Sequence, residues 1–276
     1  MNELALFAGA GGGILGGKLL GWRTVCAVEW EQYPASVLCA RQNDGLLPPF
    51  PIWDDVQTFD GKPWRGIVDV ISGGFPCTDI SAAGKGAGID GEASGMWREM
   101  ARIIHEVRPQ YVFVENSPML TSRGLGVVLG DLASLGFDAK WGVLGAADVG
   151  ANHQRDRIWI KSKRNEFTPP PPHLHLDYTD STHEQRNKRT KRTSKKYAYI
   201  DGTSESEMAH PRCKRTQISL KWEQPTKQFA DGPSWWQTEP RLDRVAYGVA
   251  ARMDRLKAIG NGQVPLCAAT AWRILK

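Results

Sequence analysis

The sequence predicts an α/β fold in which a parallel sheet carries helices on both faces. Short β-rich runs alternate with helix-like stretches from residue 1 to residue 161, which is the pattern of such a sheet. A glycine-rich turn follows the first run. The chain of 276 residues is long enough to bury a core in one domain with a smaller insert, and its 41% hydrophobic and 24% charged residues exclude a disordered or fibrous protein.

Six strands and two helices are the most clearly bounded elements in the regular part of the chain. The strands are predicted at Leu4–Phe7, Thr24–Glu29, Ile67–Ser72, Tyr111–Glu115, Ala139–Leu144 and Arg157–Lys161. Between Met96 and Val107 apolar residues recur every 3.6 positions, which predicts a helix with a core-facing stripe, and Pro109 marks its end. Residues 265–275 predict a closing helix with Pro265 in its first turn.

The middle of the chain differs from both ends. From Lys161 to Lys221 there are fourteen Lys and Arg against seven Asp and Glu, so the basic excess of a chain with net charge +5 is local. The run HEQRNKRTKRTSKK, residues 183–196, is most often a solvated loop, and contact with nucleic acid is the alternative. We expect one domain from residues 1–161 and 241–276, with an irregular insert over 162–240.

Several classes of protein are excluded at this stage. The apolar start of the chain is interrupted by Glu3, Lys18 and six glycines, so neither a membrane span nor a signal peptide is predicted and a cytoplasmic location is expected. The five cysteines form no CxxC pair, which argues against a disulfide framework and a cysteine-rich zinc site. No metal site is expected.

The glycine-rich turn LALFAGAGGGILGG lies between a strand and a helix. Such a turn lets a ligand approach the backbone and meet helix N-terminal amides. Gly11, Gly13 and Gly16 satisfy GxGxxG by letters, although a structural turn would match equally well. Glu29 ends the second strand twenty residues after Gly9, where a carboxylate can accept hydrogen bonds from ribose hydroxyls. These features together predict an adenosine-containing cofactor.

Three further patterns place reactive groups at strand ends. In DVISGGFPCTDIS, Cys77 follows a strand in a tight turn, and in YVFVENS, Glu115 ends another buried strand. In HQRDRIWI, Arg155 and Arg157 share one face as the last strand begins. Taken singly, each has a structural explanation. Because ligands of open α/β sheets bind at the carboxyl ends of the strands, their convergence there predicts an active site.

These residues together resemble the DNA cytosine-5 methyltransferase family. The motifs FAGAGG, EW, DDV, GGFPCTDIS, ENS, RDR and GNGQVP occur in the order of that family, over residues 4–160 and from 241 to the end. The resemblance implies a Rossmann-like methyltransferase sheet and S-adenosylmethionine as cofactor. It assigns the cofactor pocket to Phe7, Ala8, Gly9, Ala10, Gly12, Glu29, Trp30, Asp55, Val56, Pro76 and Asn261.

The resemblance also implies methylation of cytosine C5 in double-stranded DNA, with base flipping. Cys77 would add to C6, Glu115 would protonate the ring, and Arg157, with Arg155 as a second cation, would bind the O2 side. The DNA contacts would come from a glycine-rich loop with Ser81 and Lys85, and from the basic insert, at Arg186, Lys188, Arg189, Lys191 and Arg192. The insert matches no pattern that would predict the target sequence.

The partners and alternatives follow from the same residues. We expect a monomer acting on DNA, with a cognate restriction endonuclease acting separately as one biological setting. A methyltransferase of the same fold acting on transfer RNA would use the same chemistry. A nicotinamide-dependent oxidoreductase would use the glycine turn and Glu29, but it has no need for Cys77, Glu115 and Arg157 together.

Overall fold

A computed structural model describes residues 1–76, 95–165 and 252–276, and these form one mixed sheet of seven strands with helices on both faces. The order of the strands across the sheet is β3-β2-β1-β4-β5-β7-β6. The strands are β1 (Asn2–Leu6), β2 (Arg23–Val28), β3 (Ile52–Trp53), β4 (Val70–Gly73), β5 (Tyr111–Asn116), β6 (Phe137–Leu144) and β7 (Arg157–Arg164).

Seven α-helices accompany these strands in the described part of the chain. They are α1 (Gly12–Leu19), α2 (Gln32–Asn43), α3 (Met96–Val107), α4 (Leu120–Arg123), α5 (Leu125–Ser134), α6 (Arg252–Asn261) and α7 (Pro265–Ile274). The helix predicted over Met96–Val107 is confirmed at both bounds, and the closing helix begins at Pro265 as predicted. None of the helices described is long and apolar enough to cross a membrane.

Alternation along the strands decides which helices cover each face. Leu4, Ile71 and Ile160 point to the face that packs against α3 and α5. Their neighbours Val70 and Trp159 point to the opposite face, which packs against α7. Because successive side chains of a strand point to opposite faces, each buried strand must be apolar on both sides. The strands therefore read as continuous apolar runs, and helices are needed on both faces.

The direction of the last strand in the sequence differs from the predicted parallel sheet. Strand β7 pairs antiparallel with both β5 and β6, while β1, β2, β3, β4 and β5 are all parallel to one another. The apolar run Ile158–Ile160 packs equally well in either direction, so the sequence pattern did not reveal the reversal. The two-residue strand β3 was also missed, because it is too short to show a period.

The carboxyl-terminal helix returns to the glycine-rich helix. Helix α7 packs against α1 so closely that a Cβ on Gly16 would lie 2.7 Å from the Cβ of Ala268. At the same face the ring of Trp272 lies edge-on to Trp22, with centroids 4.7 Å apart. The proposed division at residues 162 and 240 stays a prediction, because residues 166–251 lie outside the described part of the chain.

Candidate active site

A pocket opens at the carboxyl ends of β1 and β4, where the strand order reverses. From β1 the chain proceeds to β2 and β3 on one side of the sheet, whereas β4 and β5 lie on the other side. Such a topological switch point is where ligands bind in open α/β sheets. About 380 Å³ of space, part of it open to solvent, lies between its walls. Its walls are formed by Ala5, Leu6, Phe7, Ala8, Gly9, Gly13, Ile14, Ser72, Gly73, Gly74, Glu115, Asn261, Gly262 and Gln263.

The turn after β1 has the unusual backbone that the glycines predicted. Phe7 and Gly9 both adopt left-handed conformations, with φ of 52° and 55°. A non-glycine residue in this region is uncommon, and such residues cluster at ligand sites. The Ala8 N–H donates to the carbonyl of Val28 at 3.1 Å, which ties the turn to the end of β2.

The three glycines that match the GxGxxG pattern allow close packing between elements of the protein. A Cβ on Gly11 would lie 2.8 Å from the side chain of Leu38, and one on Gly13 would lie 2.6 Å from the side-chain oxygen of Gln263. Gly16 is needed where α7 crosses α1. A Cβ on Gly12 would collide with the backbone carbonyl of Gln263. These glycines allow close approach of protein to protein, so the letter match alone does not identify a dinucleotide site.

Glu29 holds the glycine turn from the end of β2. Its Oε2 accepts the Gly9 N–H at 2.6 Å, and its Oε1 accepts the Glu31 N–H at 2.8 Å. Burial raises the pKa of Glu29, and the two backbone N–H groups oppose that rise. A carboxylate offers about four lone-pair directions, so two remain for ligand hydroxyls. Glu31 also pairs with Lys257 of α6 at 2.8 Å, which links α6 to this rim.

The structure separates the residues predicted for the cofactor into two groups. Phe7, Ala8, Gly9 and Asn261 line the pocket. The others are not among its lining residues: Ala10, Gly12, Glu29, Trp30, Asp55, Val56 and Pro76. For both groups the assignment to the cofactor stays a prediction.

Those outside the lining differ in their surroundings. Trp30 is 74% exposed, so its ring is available to a ligand, and Pro76 is exposed as well. Val56 is buried, and its carbonyl accepts a hydrogen bond from Arg102 at 2.8 Å. Asp55 is half-buried and accepts the Gln57 N–H of its own turn at 2.9 Å.

The predicted acid lies in the same pocket and is paired with the predicted cation. Glu115 is the residue before the last in β5 and is 9% exposed, and its Oε1 lies 2.8 Å from Nε of Arg157, which begins β7. The antiparallel pairing of β5 with β7 brings these two strand ends together. Burial raises the pKa of Glu115, whereas the charge of Arg157, with a smaller contribution from Arg155, opposes that rise. The acid therefore holds its proton more readily than an exposed glutamate.

Arg155 makes different contacts from those expected. Its Nη2 donates to the backbone carbonyls of Gly260 and Gly262, at 2.7 and 2.5 Å. These carbonyls flank Asn261, the last residue of α6, where the loop to α7 begins. In the described residues Arg155 thus anchors that loop, and its role at a substrate O2 atom stays a prediction. The difference arises from a loop more than a hundred positions away, which no local pattern could place.

Asn116 and Gln263 are two residues that sequence reasoning did not single out. Asn116, which is 2% exposed, donates from Nδ2 to the carbonyl of Phe75 at 3.1 Å. It ties β5 to the segment that leads to Cys77. Gln263 lies in the GNGQVP motif and donates to Oε2 of Glu115 at 3.4 Å. The motif marked its neighbourhood, but no spacing rule joins it to an acid 148 positions away.

Other predicted residues lie outside the described part of the chain. They are the nucleophile Cys77, the loop residues Ser81 and Lys85, and the basic residues Arg186, Lys188, Arg189, Lys191 and Arg192.

The family model for C-5 cytosine-specific DNA methylase matches residues 1–254 of the chain. The chain belongs to this family. Among curated relatives, the type II methyltransferase M.CviJI of Paramecium bursaria Chlorella virus IL3A is 33% identical over 170 residues, which are 61% of this chain and 44% of that protein. M.NgoMIV of Neisseria gonorrhoeae, another type II methyltransferase, is 32% identical over 171 residues, or 60% of this chain and 53% of that protein.

The methylase chain thus spans about half the length of these curated relatives. Among solved structures, a methyltransferase of Entamoeba histolytica, EhMeth, superposes with a TM-score of 0.51 at 14% identity, covering 64% of this chain and 57% of that one. That likeness concerns the fold. The prediction of a Rossmann-like methyltransferase sheet is confirmed, and so is membership of the cytosine-5 family.

Proposed function

We propose that this methylase transfers a methyl group from S-adenosylmethionine to C5 of cytosine in double-stranded DNA, through a covalent bond between Cys77 and C6. The observation that supports this most directly is the ion pair between Glu115, which lines the switch-point pocket, and Arg157 beside it. Gly74 lies in the same wall, and Cys77 follows it by three positions in the sequence. A proton donor and a cation thus lie beside the segment that carries the nucleophile.

The described pocket fits the proposed cofactor. The left-handed turn at Phe7 and Gly9 leaves the backbone open to a ligand, and Glu29 has acceptor capacity for the two hydroxyls of a ribose. The N terminus of α1 has no side-chain cap, and the partial positive charge of its amides favours a carboxylate nearby. When bound, S-adenosylmethionine supplies an electrophilic methyl group on a sulfonium. We propose that Phe7, Ala8, Gly9, Glu29 and Asn261 hold it.

The protein must activate cytosine, because C5 is a weak nucleophile in the aromatic ring. In the proposed reaction the Cys77 thiolate adds to C6, and Glu115 donates a proton to N3 as the ring gains electron density. The ring then has enamine character, so a bond forms from C5 to the methyl group and the bond from sulfur to methyl breaks. A base, with water as the simplest candidate, removes the C5 proton. The Cys77–C6 bond then breaks, N3 returns its proton to Glu115, and the aromatic ring is restored.

The environment of Glu115 suits a proton donor. Burial favours the neutral acid and raises its pKa, so Glu115 holds its proton to higher pH than an exposed glutamate does. Arg157 keeps a positive charge 2.8 Å away, which stabilises the carboxylate formed when the proton leaves. The two effects oppose each other in the ground state. Burial keeps the proton on Glu115 before the reaction, and Arg157 stabilises the carboxylate once the proton has left.

The substrate base must leave the double helix to reach this pocket. Flipping a base out of a duplex costs about a few kcal/mol, which contacts to phosphates can offset. We propose Ser81, Lys85 and the basic residues of the insert for those contacts, on the strength of the sequence alone. A cognate restriction endonuclease that acts separately is the biological setting suggested by the type II names of the relatives.

The test combines a covalent trap with matched cysteine variants. DNA with 5-fluorocytosine at target positions should form a stable complex, because fluorine cannot leave C5 as the proton does. The Cys77→Ala variant should lose the complex and all methyl transfer but keep S-adenosylhomocysteine affinity within about 3-fold, since Cys77 acts on the base. Cys39→Ala, at an exposed cysteine, is the control and should behave as the parent protein.

Three outcomes would contradict the proposal. Methyl transfer by the Cys77→Ala variant would refute the assignment of Cys77 as the nucleophile. Transfer to tRNA at least as efficient as transfer to DNA, under the same conditions, would identify the tRNA alternative. Binding of NAD in place of S-adenosylhomocysteine would indicate an oxidoreductase.

A further inference from the structure

We propose that Gln263 is a positioning residue for Glu115: its side-chain amide holds one oxygen of the acid while Arg157 holds the other. The inference rests on the proposed function, in which Glu115 is the proton donor. It adds a residue from the loop between α6 and α7 to the machinery at the ends of β5 and β7. Through this contact the loop that lines the cofactor pocket also sets the orientation of the acid.

The two oxygens of Glu115 have different partners. Oε1 lies 2.8 Å from Nε of Arg157, and Oε2 accepts a hydrogen bond from Nε2 of Gln263 at 3.4 Å. The second distance is long for an N–H···O hydrogen bond, but such bonds often tighten once substrate is present. A carboxyl group held at both oxygens cannot rotate freely. The direction in which its proton points is therefore fixed before the base arrives.

Two glycines leave space for the amide of Gln263. A Cβ on Gly74 would lie 2.6 Å from Oε2 of Glu115 and 3.1 Å from Nε2 of Gln263. A Cβ on Gly13 would lie 2.6 Å from Oε1 of Gln263. The amide thus fits between the N terminus of α1, the end of β4 and the acid, and larger side chains at either glycine would displace it.

The electrostatics of the site fix which end of the amide faces the acid. The N terminus of a helix carries a partial positive charge, so the Gln263 oxygen is favoured next to Gly13 at the start of α1. The Gln263 nitrogen then faces the Glu115 carboxyl, where it donates. The opposite orientation would place two oxygens together at the acid whenever it is ionised.

The backbone of Gln263 is held from both sides. Arg155 donates to the carbonyls of Gly260 and Gly262, immediately before it. On the other side Gly12 allows the Gln263 carbonyl to pack directly on α1. A side chain on so constrained a backbone can position its partner with little loss of conformational entropy. This gives Arg155 a role through the loop.

Loss of the amide should change the titration of the acid. In the described part of the chain, the charged groups that face Glu115 are Arg157 and Arg155, and the Gln263 N–H acts in the same direction as their charges. All three groups favour the ionised form of Glu115 and oppose the rise in its pKa that burial causes. Removing the N–H donor should therefore raise the pKa of Glu115 further and extend its protonated range to higher pH.

The decisive variant is Gln263→Met, which keeps the length of the side chain and removes the donor. We expect kcat for methyl transfer to fall about 10-fold and the basic limb of its pH profile to move up by about 0.5 to 1 unit. S-adenosylhomocysteine affinity should stay within about 3-fold. Gln110→Met, at an exposed glutamine before β5 at the opposite end of the sheet, is the matched control and should change neither quantity.

A second pair of variants approaches the same contact from β4. Gly74→Ala should displace the amide from the acid and shift the pH profile in the same direction. Gly130→Ala, in α5 with open space around it, is its control. If Gln263→Met does not fold, this pair decides the question. An unshifted profile in a folded variant, or a loss confined to cofactor affinity, would show that Gln263 is only part of the cofactor wall.

A spectroscopic measurement separates this inference from the proposed function. The infrared C=O stretch of protonated Glu115, assigned by its absence in Glu115→Gln, reports the titration without any substrate. It should persist to higher pH in Gln263→Met. A shift of this band in a protein that methylates no nucleic acid would leave the positioning role intact and refute the function. If the band is unchanged in Gln263→Met and the parent enzyme methylates DNA, the proposed function stands and the positioning role of Gln263 is refuted.

Discussion

Replacing Arg157 with methionine tests the pairing at the centre of the site. The guanidinium lies 2.8 Å from a carboxyl group whose side chain is 11% exposed, while its own is 28% exposed. Removing a donor aimed at developing charge usually costs a factor of about 10² to 10³ in rate. Because Arg157 is partly exposed and solvent screens it, we take the lower end. We expect kcat to fall about 100-fold, equivalent to ~2.7 kcal/mol.

Arg157→Met should reduce the stability of the fold by less than it raises the barrier of the reaction. Removing one partner of a fully buried ion pair costs about 3 to 5 kcal/mol when the remaining charge stays unpaired. Glu115 can avoid that state by binding a proton, since burial already raises its pKa and the charge that opposes the rise is gone. We therefore expect the free energy of unfolding at pH 7 to fall by only about 1 to 2 kcal/mol.

Single-turnover transfer of radiolabelled methyl groups to DNA measures the rate, and calorimetry measures S-adenosylhomocysteine binding. The affinity should change less than about 3-fold, because Arg157 is not among the residues lining the pocket. Arg41→Met is the control: Arg41 pairs with Asp44 at 2.9 Å, but both side chains are about half exposed. A rate for Arg157→Met within a few-fold of the parent would refute the role assigned to this cation. So would a parallel collapse of cofactor binding.

Two further predictions concern stability. Glu3 is fully buried between the hydroxyls of Thr24 and Ser72, and burial raises its pKa to about 7. In the unfolded chain the pKa of Glu3 is near 4.5, so between these two values the folded state binds a proton that the unfolded state has lost. The stability that this proton contributes is therefore fully present below pH 4.5 and is lost as the pH rises to about 7. Denaturant unfolding should show a loss of about 3 kcal/mol from pH 4.5 to 8 that Glu3→Gln largely abolishes, and an equal slope in both proteins would contradict this account. Gly16→Ala should lower the free energy of unfolding by about 1 to 3 kcal/mol, because its methyl group would lie 2.7 Å from the Cβ of Ala268. The control Gly130→Ala, in open space on α5, should raise the free energy of unfolding by about 0.5 to 1 kcal/mol. Similar effects of the two alanines would mean that α1 and α7 do not pack as described.

Local patterns predicted the elements that carry their own signal. Helix α3 spans Met96–Val107 as predicted, because its apolar residues keep a helical period and a residue in the left-handed conformation, Arg108, follows at its end. Its buried stripe differs in one detail, since Trp97 is fully buried where Met96 is only partly so. Strand direction carries no such signal. The reversal of β7 depends on hydrogen bonds to β5 and β6, which sequence periodicity does not contain.

The candidate site divides in the same way. Motif order marked Phe7, Glu29, Glu115 and Arg157, because each lies at or next to the start or the end of a recognisable strand. The contacts of Arg155 and Gln263 were not foreseen. Both depend on how the loop between α6 and α7 meets the ends of β5 and β7, more than a hundred positions away in the chain.

The sequence by itself determined the class of fold, the family and the kinds of reactive group, since residue type and order along the chain encode these directly. The tertiary structure decided which groups meet. It paired Glu115 with Arg157 through an antiparallel strand and placed Gln263 against the acid. It also assigned several glycines to packing between helices. The physical reason is that hydrogen bonds and ion pairs act over a few ångströms in space, whereas a sequence pattern records only separation along the chain.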